Sequence, residues 1–181
     1  MGKRATLVVD IQNEYFPGGK LPLLGIEAAA ANAARVIEAA RDRGERLIHI
    51  HHEMPDPDAP IFTPGTAGVE IHESVRPNDG EPVILKNHPN AFLSTDLKER
   101  LDQEAIAEVV VVGAMSHMCV EATTRAASDL GYRGTVIHDA CATMDLTFNG
   151  ETAPASHVHA TAMAALAFAY ASIQSVEEFL A

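Results

Sequence analysis

Three side chains of this sequence could together cleave a bond to carbon: the carboxylate of Asp10, the ammonium of Lys86 and the thiol of Cys119. Each follows an apolar run. Asp10 ends the run at residues 5–9, Lys86 ends the one at 82–85, and Cys119 comes shortly after Val109-Val110-Val111-Val112. Four valines read as a buried parallel strand, closed by the small residues Gly113 and Ala114. From about His117 the pattern turns helical, through Met118, Val120, Ala122, Ala126, Ala127 and Leu130. The thiol is therefore expected in the first turn of a helix, where unpaired amides and the helix dipole favour a thiolate. In such a set Asp10 accepts the thiol proton, and Lys86 steadies both the carboxylate and the thiolate. Cys119 attacks an electrophilic carbon to form a thioester-type intermediate. Asp10 passes the proton to the leaving group and then activates water. Each residue alone has a plainer reading: turn hydrogen bonds for Asp10, solvation for Lys86, a small core residue for Cys119.

The surrounding pattern places all three at one edge. Strands are expected at 5–9, 46–51, 82–85, 108–112, 134–138 and, last, 172–175. Helices are expected at 26–43, capped by Gly44, at 96–104 with Ser94 or Thr95 as N-cap, after Cys119, and at 152–170, with a terminal turn at 176–180. Strand and helix alternate throughout. That argues a single domain over residues 1–181 of the α/β class, a three-layer α/β/α arrangement around a mostly parallel sheet of about six strands. Ligands of such sheets bind beyond the carboxyl ends of the strands, where Asp10, Lys86 and Cys119 fall. Residues 53–80, with five prolines and three glycines, read as one long loop, and a loop of that length is usually functional. Within it, Glu53 to Pro64 is a candidate lid, or part of a neighbouring subunit's pocket.

Composition narrows the partners. With 13 Lys and Arg against 25 Asp and Glu, the net charge is −12, which disfavours nucleic acid and anionic membrane surfaces. No stretch is long enough to span a bilayer, and the N-terminal residues carry no apolar signal core. Two cysteines, Cys119 and Cys141, are then expected as free thiols in a reducing cytoplasm, with Cys141 a small buried residue. The Ala-rich helices at 26–43 and 152–170 suit close packing, including between subunits.

Three segments sharpen this reading: Leu7-Val8-Val9-Asp10-Ile11-Gln12-Asn13, Lys86-Asn87-His88-Pro89-Asn90-Ala91-Phe92 and Gly113-Ala114-Met115-Ser116-His117-Met118-Cys119-Val120. In this order they resemble the isochorismatase-like cysteine hydrolase superfamily, which includes nicotinamidases and carbamoylsarcosine-type amidohydrolases. The likeness covers nearly the whole chain. It implies a catalytic triad of Asp10, Lys86 and Cys119. It also implies a non-proline cis peptide between Ala114 and Met115, which aims the amides of Met115 and Cys119 at a developing oxyanion. Many relatives carry Thr at the position of Ser116, so a hydroxyl is kept. Relatives that act on a vinyl ether commonly lack the cysteine, so its presence points to C–N hydrolysis. The resemblance also implies a homo-oligomer, a dimer or tetramer.

Nicotinamidase-like members hold a divalent metal with an Asp-x-His pair. Here the second strand ends His49-Ile50-His51-His52-Glu53 instead. A weak site using His51 or His52 with His72 stays open, but a metal needs three or more converging ligands, and the histidines are expected to be satisfied or on the surface. No metal and no cofactor are expected. Gln12, Phe16, Phe92 and Ser116 are the candidate substrate-binding residues, the two phenylalanines as apolar walls or as ordinary core-edge aromatics. His117 lies two residues before the thiol but on another face of the helix start, so Asp10 is preferred as the base. The expected activity is hydrolysis of an amide, ureido or carbamoyl bond in a small molecule. The alternatives are a redox-responsive thiol at Cys119 and an assembly protein without turnover.

Overall fold

A computed structural model describes residues 3–181; Met1 and Gly2, counted above in the single domain over 1–181, lie outside the described residues. The chain runs β1 (Lys3–Val9), α1 (Ile26–Asp42), β2 (Arg46–His52), β3 (Val83–Lys86), α2 (Leu97–Gln103), β4 (Ile106–Ala114), α3 (Glu121–Asp129), β5 (Arg133–Ala142), β6 (Leu146–Phe148), β7 (Glu151–Ala153), α4 (Ala155–Ala169), β8 (Ala171–Gln174) and α5 (Val176–Leu180). Six strands form one sheet in the order β3-β2-β1-β4-β5-β8, and every pairing is parallel.

Both faces of that sheet are buried, because alternate residues of each strand point to opposite sides. Val8, Val110, Val112 and Ile137 meet α1 through Ala30, Ala33, Val36 and Ile37, with Val176 of α5 alongside. Leu7, Val9, Val111 and Val136 meet α2, α3 and α4 through Leu97, Leu101, Ala127 and Leu166. This is the three-layer α/β/α arrangement, with a sheet that is parallel throughout. Gly44, at φ +64, ends α1 as expected, and its amide donates to the Arg41 carbonyl at 3.0 Å.

The structure departs from the pattern reading in two stretches. Residues 146–153 form a short antiparallel hairpin, so the late helix starts at Ala155 and not at 152. Its turn is Asn149-Gly150, both at positive φ, the dipeptide that two-residue hairpins favour. The second departure is the cap of α2. Neither Ser94 nor Thr95 is the boundary residue; Asp96 is, although the Thr95 hydroxyl accepts the Leu97 amide at 3.3 Å.

The long 53–80 segment is tied down rather than loose. Backbone bonds link Asn13 to Glu70, Glu14 to Gly68, and His72 to Ile11. The buried Glu14 carboxylate accepts the Phe62 amide at 2.8 Å. Just past this segment, Glu81 accepts from Arg41 at 2.7 and 2.9 Å, from the Asn78 amide at 2.9 Å and from His49 Nε2 at 3.1 Å. The Arg41 guanidinium is the main reason its carboxyl is held down to about 2. A folded-state value below the usual 4.5 stabilises the fold above that ordinary value, and the stabilisation is lost as pH falls from about 4.5 to about 2. Glu81→Gln is expected to cost about 1–2 kcal/mol at pH 7. Thermal melts should show the gap between variant and parent closing across that acid window.

Candidate active site

Chain order places the site before any side chain is considered. From β1 the chain builds outward through β2 and β3, then returns to the other side of β1 with β4, β5 and β8. The boundary between β1 and β4 is therefore the switch point where open α/β sheets leave a crevice. Asp10 follows β1 directly. Opposite it, Val9 pairs with Gly113 at the end of β4. Gly113 has φ +129, and a Cβ there would run into the Val9 carbonyl, so only glycine lets the two strand ends approach this closely. Asp10 is itself at φ +52, a left-handed conformation that Asp tolerates, held by its amide bond to the Ile50 carbonyl at 3.1 Å.

The three reactive groups meet at this point. Lys86, the last residue of β3, puts Nζ 2.7 Å from Asp10 Oδ2 and 3.3 Å from Cys119 Sγ. Asp10 is 0%, Lys86 1% and Cys119 5% exposed. Beyond the ammonium and the thiol, the Asp10 carboxylate has no hydrogen-bond partner among the described residues. Burial raises the Asp10 carboxyl above the ordinary carboxylate range, and the Lys86 charge offsets only part of that. Burial would lower Lys86, but the Asp10 and Cys119 charges outweigh it and hold the ammonium charged. Burial and the adjacent Asp10 charge push the Cys119 thiol well up. The pull of the helix start toward a thiolate is outweighed here. A helix terminus contributes about 0.3–1 kcal/mol, less than the cost of an anion in a closed site. At rest the thiol keeps its proton beside a carboxylate made unusually basic by the same burial.

Cys119 does not open an ordinary α-helical turn. Ser116–Val120 is a single wide π-helical turn before α3, a form found often at functional sites. The peptide between Ala114 and Met115 is cis. The Met115 carbonyl accepts from the amides of Met118 at 3.0 Å and Val120 at 3.2 Å, which fixes the turn carrying the thiol.

The other sequence candidates separate. Gln12 is a tie between segments: its amide nitrogen donates to the carbonyls of His52 and Val69 at 2.9 and 2.6 Å, and its oxygen accepts the His52 amide at 2.8 Å. Phe16 packs in the cluster on the α1 side of the sheet and stacks on His72 at 3.6 Å between centroids. Phe92 packs against the opposite cluster, the one containing Cys119. Ser116 is fully buried, its hydroxyl 3.2 Å from the Ala142 carbonyl and 2.8 Å from His159 Nδ1. His117 turns away to Thr143 at 2.6 Å. Cys141 is buried with its thiol toward the Ile137 carbonyl.

The histidines weighed as metal ligands are dispersed. His72 bonds Ser74 and His51 faces Glu53, while no group of three or more His, Cys, Asp or Glu among the described residues is arranged to hold an ion. His52 went unrecognised as part of the site. Its Nδ1 lies 3.2 Å from Lys86 Nζ, because the β2–β3 register sets His52 directly beside Lys86.

Among the cavities at the carboxyl edge, one of about 610 Å³ is lined by His138, Asp139, Ala142, Thr143 and His159. It adjoins Ser116 and not the triad, and the chemistry described here does not involve it. No helix among the described residues is long and apolar enough to cross a membrane.

Known proteins agree with this architecture. The chain is 48% identical to the uncharacterized isochorismatase family protein YddQ of Bacillus subtilis, covering 97% of this chain and 98% of that protein. A crystal structure from Oleispira antarctica superposes with a TM-score of 0.94 at 50% identity, covering 98% of this chain and 96% of that one. A streptothricin hydrolase of Streptomyces noursei is 35% identical over 79% of this chain and 51% of its own length. The isochorismatase domain model matches residues 4–178, and the chain belongs to that family.

Proposed function

We propose that the protein is a cysteine amidohydrolase that cleaves a C–N bond in a small amide, ureido or carbamoyl compound. The observation that carries this reading is the Lys86 ammonium, within 2.7 Å of the Asp10 carboxylate and 3.3 Å of the Cys119 sulfur in a closed site. Relatives support the reaction class: besides the streptothricin hydrolase, a maleamate amidohydrolase of Pseudomonas putida is 28% identical over 76% of this chain.

As substrate carbon approaches, the Cys119 proton moves to Asp10 and an S–C bond forms. The carbonyl oxygen becomes an oxyanion, received by the amides of Met115 and Cys119. The C–N bond breaks, and Asp10 returns its proton to the departing nitrogen, leaving a thioester. Water then gives a proton to Asp10 and attacks the same carbon. The C–S bond breaks, the carboxylic acid leaves and the sulfur recovers its proton. Lys86 stays charged throughout and compensates whichever neighbour is anionic. Phe92 lines the substrate side, and Ser116 steadies the nucleophile turn through the Ala142 carbonyl and His159. Gln12 and Phe16 support it from behind by holding the 53–80 segment.

With the thiol only 5% exposed, the substrate is small. The two free thiols fit a reducing cytoplasm. A homo-oligomer, dimer or tetramer, is in keeping with Phe148 and Phe168, which stand 86% and 92% exposed.

Ammonia release from a panel of primary amides and ureido acids, with Cys119→Ala as the blank, tests the reading. At least one substrate is expected to turn over in the parent, with activity lost by a factor of about 10⁴ or more in the variant. Ammonia released equally by Cys119→Ala, or by neither protein across a broad panel, would refute it.

A further inference from the structure

Lys86 Nζ has three protons, and two of them are accounted for by Asp10 and Cys119. The third faces His52 Nδ1 at 3.2 Å. An ammonium only donates, so Nδ1 must be the acceptor, and the imidazole proton sits on Nε2. His52 is held at three points. Its backbone amide is held by Gln12 Oε1 at 2.8 Å, its carbonyl accepts from Gln12 Nε2 at 2.9 Å, and its face meets the edge of Phe62 at 5.1 Å between centroids. Phe62 is in turn anchored through its amide to the buried Glu14 carboxylate.

We propose that His52 is a positioning residue for Lys86: it takes the third ammonium proton, which leaves the other two directed at the carboxylate and the sulfur. The inference rests on the triad reading above. A lysine side chain has four rotatable bonds, and two partners leave the head free to rotate about the line between them. A third acceptor on a rigid ring removes that freedom. It also satisfies an N–H that burial would otherwise leave bare, at a cost that would push the lysine toward its neutral form. Burial and the Lys86 charge hold His52 down to about 4, so it remains an acceptor across the neutral range. The groups facing it are Lys86, His51 and His88, all cationic or neutral, and none supplies a carboxylate that would charge the ring.

Two variants and a substrate-independent readout test this. His52→Leu keeps bulk and removes the acceptor; His52→Asn returns an oxygen close to the position of Nδ1. Alkylation of Cys119 by iodoacetamide is followed from pH 6 to 10, with thermal melts as the control for folding. His52→Leu is expected to slow alkylation at pH 7.5 by about ten- to a hundredfold and to stay slower across the range, as loss of a bond to a charged group implies. His52→Asn is expected to restore most of the rate. A parent-like profile in folded His52→Leu would overturn the proposal. So would a folded His52→Asn as slow as the leucine variant. Because alkylation needs no substrate, these outcomes are read even if the amide panel shows no turnover, and amide turnover with an unchanged alkylation profile would sink the His52 role alone.

Discussion

Asp10→Asn should lower kcat by about 10³-fold or more while leaving the fold in place. The two side chains have nearly the same shape, so the Ile50 bond and the tight turn at φ +52 can persist. What disappears is, among the described residues, the one group beside the thiol able to take its proton. Lys86 is a donor, His52 is turned to Lys86, and His117 is bonded to Thr143. General-base removal costs about 10²–10⁴, and here the same residue also serves as acid and as activator of water, which places the loss toward the upper end. The parent's pH profile gives a second check. Only ionised Asp10 accepts the proton, and burial raises its carboxyl, so activity falls as pH drops through a point above the ordinary carboxylate range. The acid limb of kcat/KM should therefore lie above about 4 in the parent. Residual activity in Asp10→Asn should lack that limb. A variant within tenfold of the parent would remove Asp10 from the mechanism.

Gly113→Ala is expected to be the most damaging single-methyl change in the chain. The residue sits at φ +129, where side chains are strained, and the added carbon would meet the Val9 carbonyl, carbon and nitrogen together. Backbone cannot yield as a flexible side chain does. Either β4 separates from β1, or the turn carrying Met115 and Cys119 is displaced. We expect a loss of about 4 kcal/mol or more, or failure to accumulate folded protein. Gly131→Ala is the control, because it also has positive φ but nothing lies within 4 Å of the new carbon. It should cost about 1–2 kcal/mol. Equal melting temperatures for the two variants would show that conformation, and not close approach of strands, governs Gly113.

The meeting of Asp10, Lys86 and Cys119 was more legible in the sequence than its surroundings, and the reason is geometric. Parallel sheets put strand ends on one edge, so Asp10, Lys86 and Cys119 could be brought together from the apolar runs alone. The same reasoning could not find His52. Its place beside Lys86 depends on the β2–β3 register, which no local pattern encodes. Nor could it find Glu14 and Glu81, whose partners include the remote Phe62 amide, Arg41 and His49. The hairpin at 146–153 was missed for a different reason: all six strand residues are exposed, so no alternation of buried and open positions exists to be read. Asn149-Gly150 was the available signal. The helix-start position of the thiol was legible, but the depth at which it lies was not.

The pairing of one anion with one permanent cation around an uncharged thiol also bears on how a catalytic cycle would end. Each proton transfer shifts charge among neighbours without altering the total inside the sealed pocket, so no counterion has to follow. Once the departing acid gives up its proton to water it becomes a second negative group near ionised Asp10, and a single ammonium cannot neutralise both. Repulsion would then drive the carboxylate outward and disfavour its rebinding, giving weak inhibition by product.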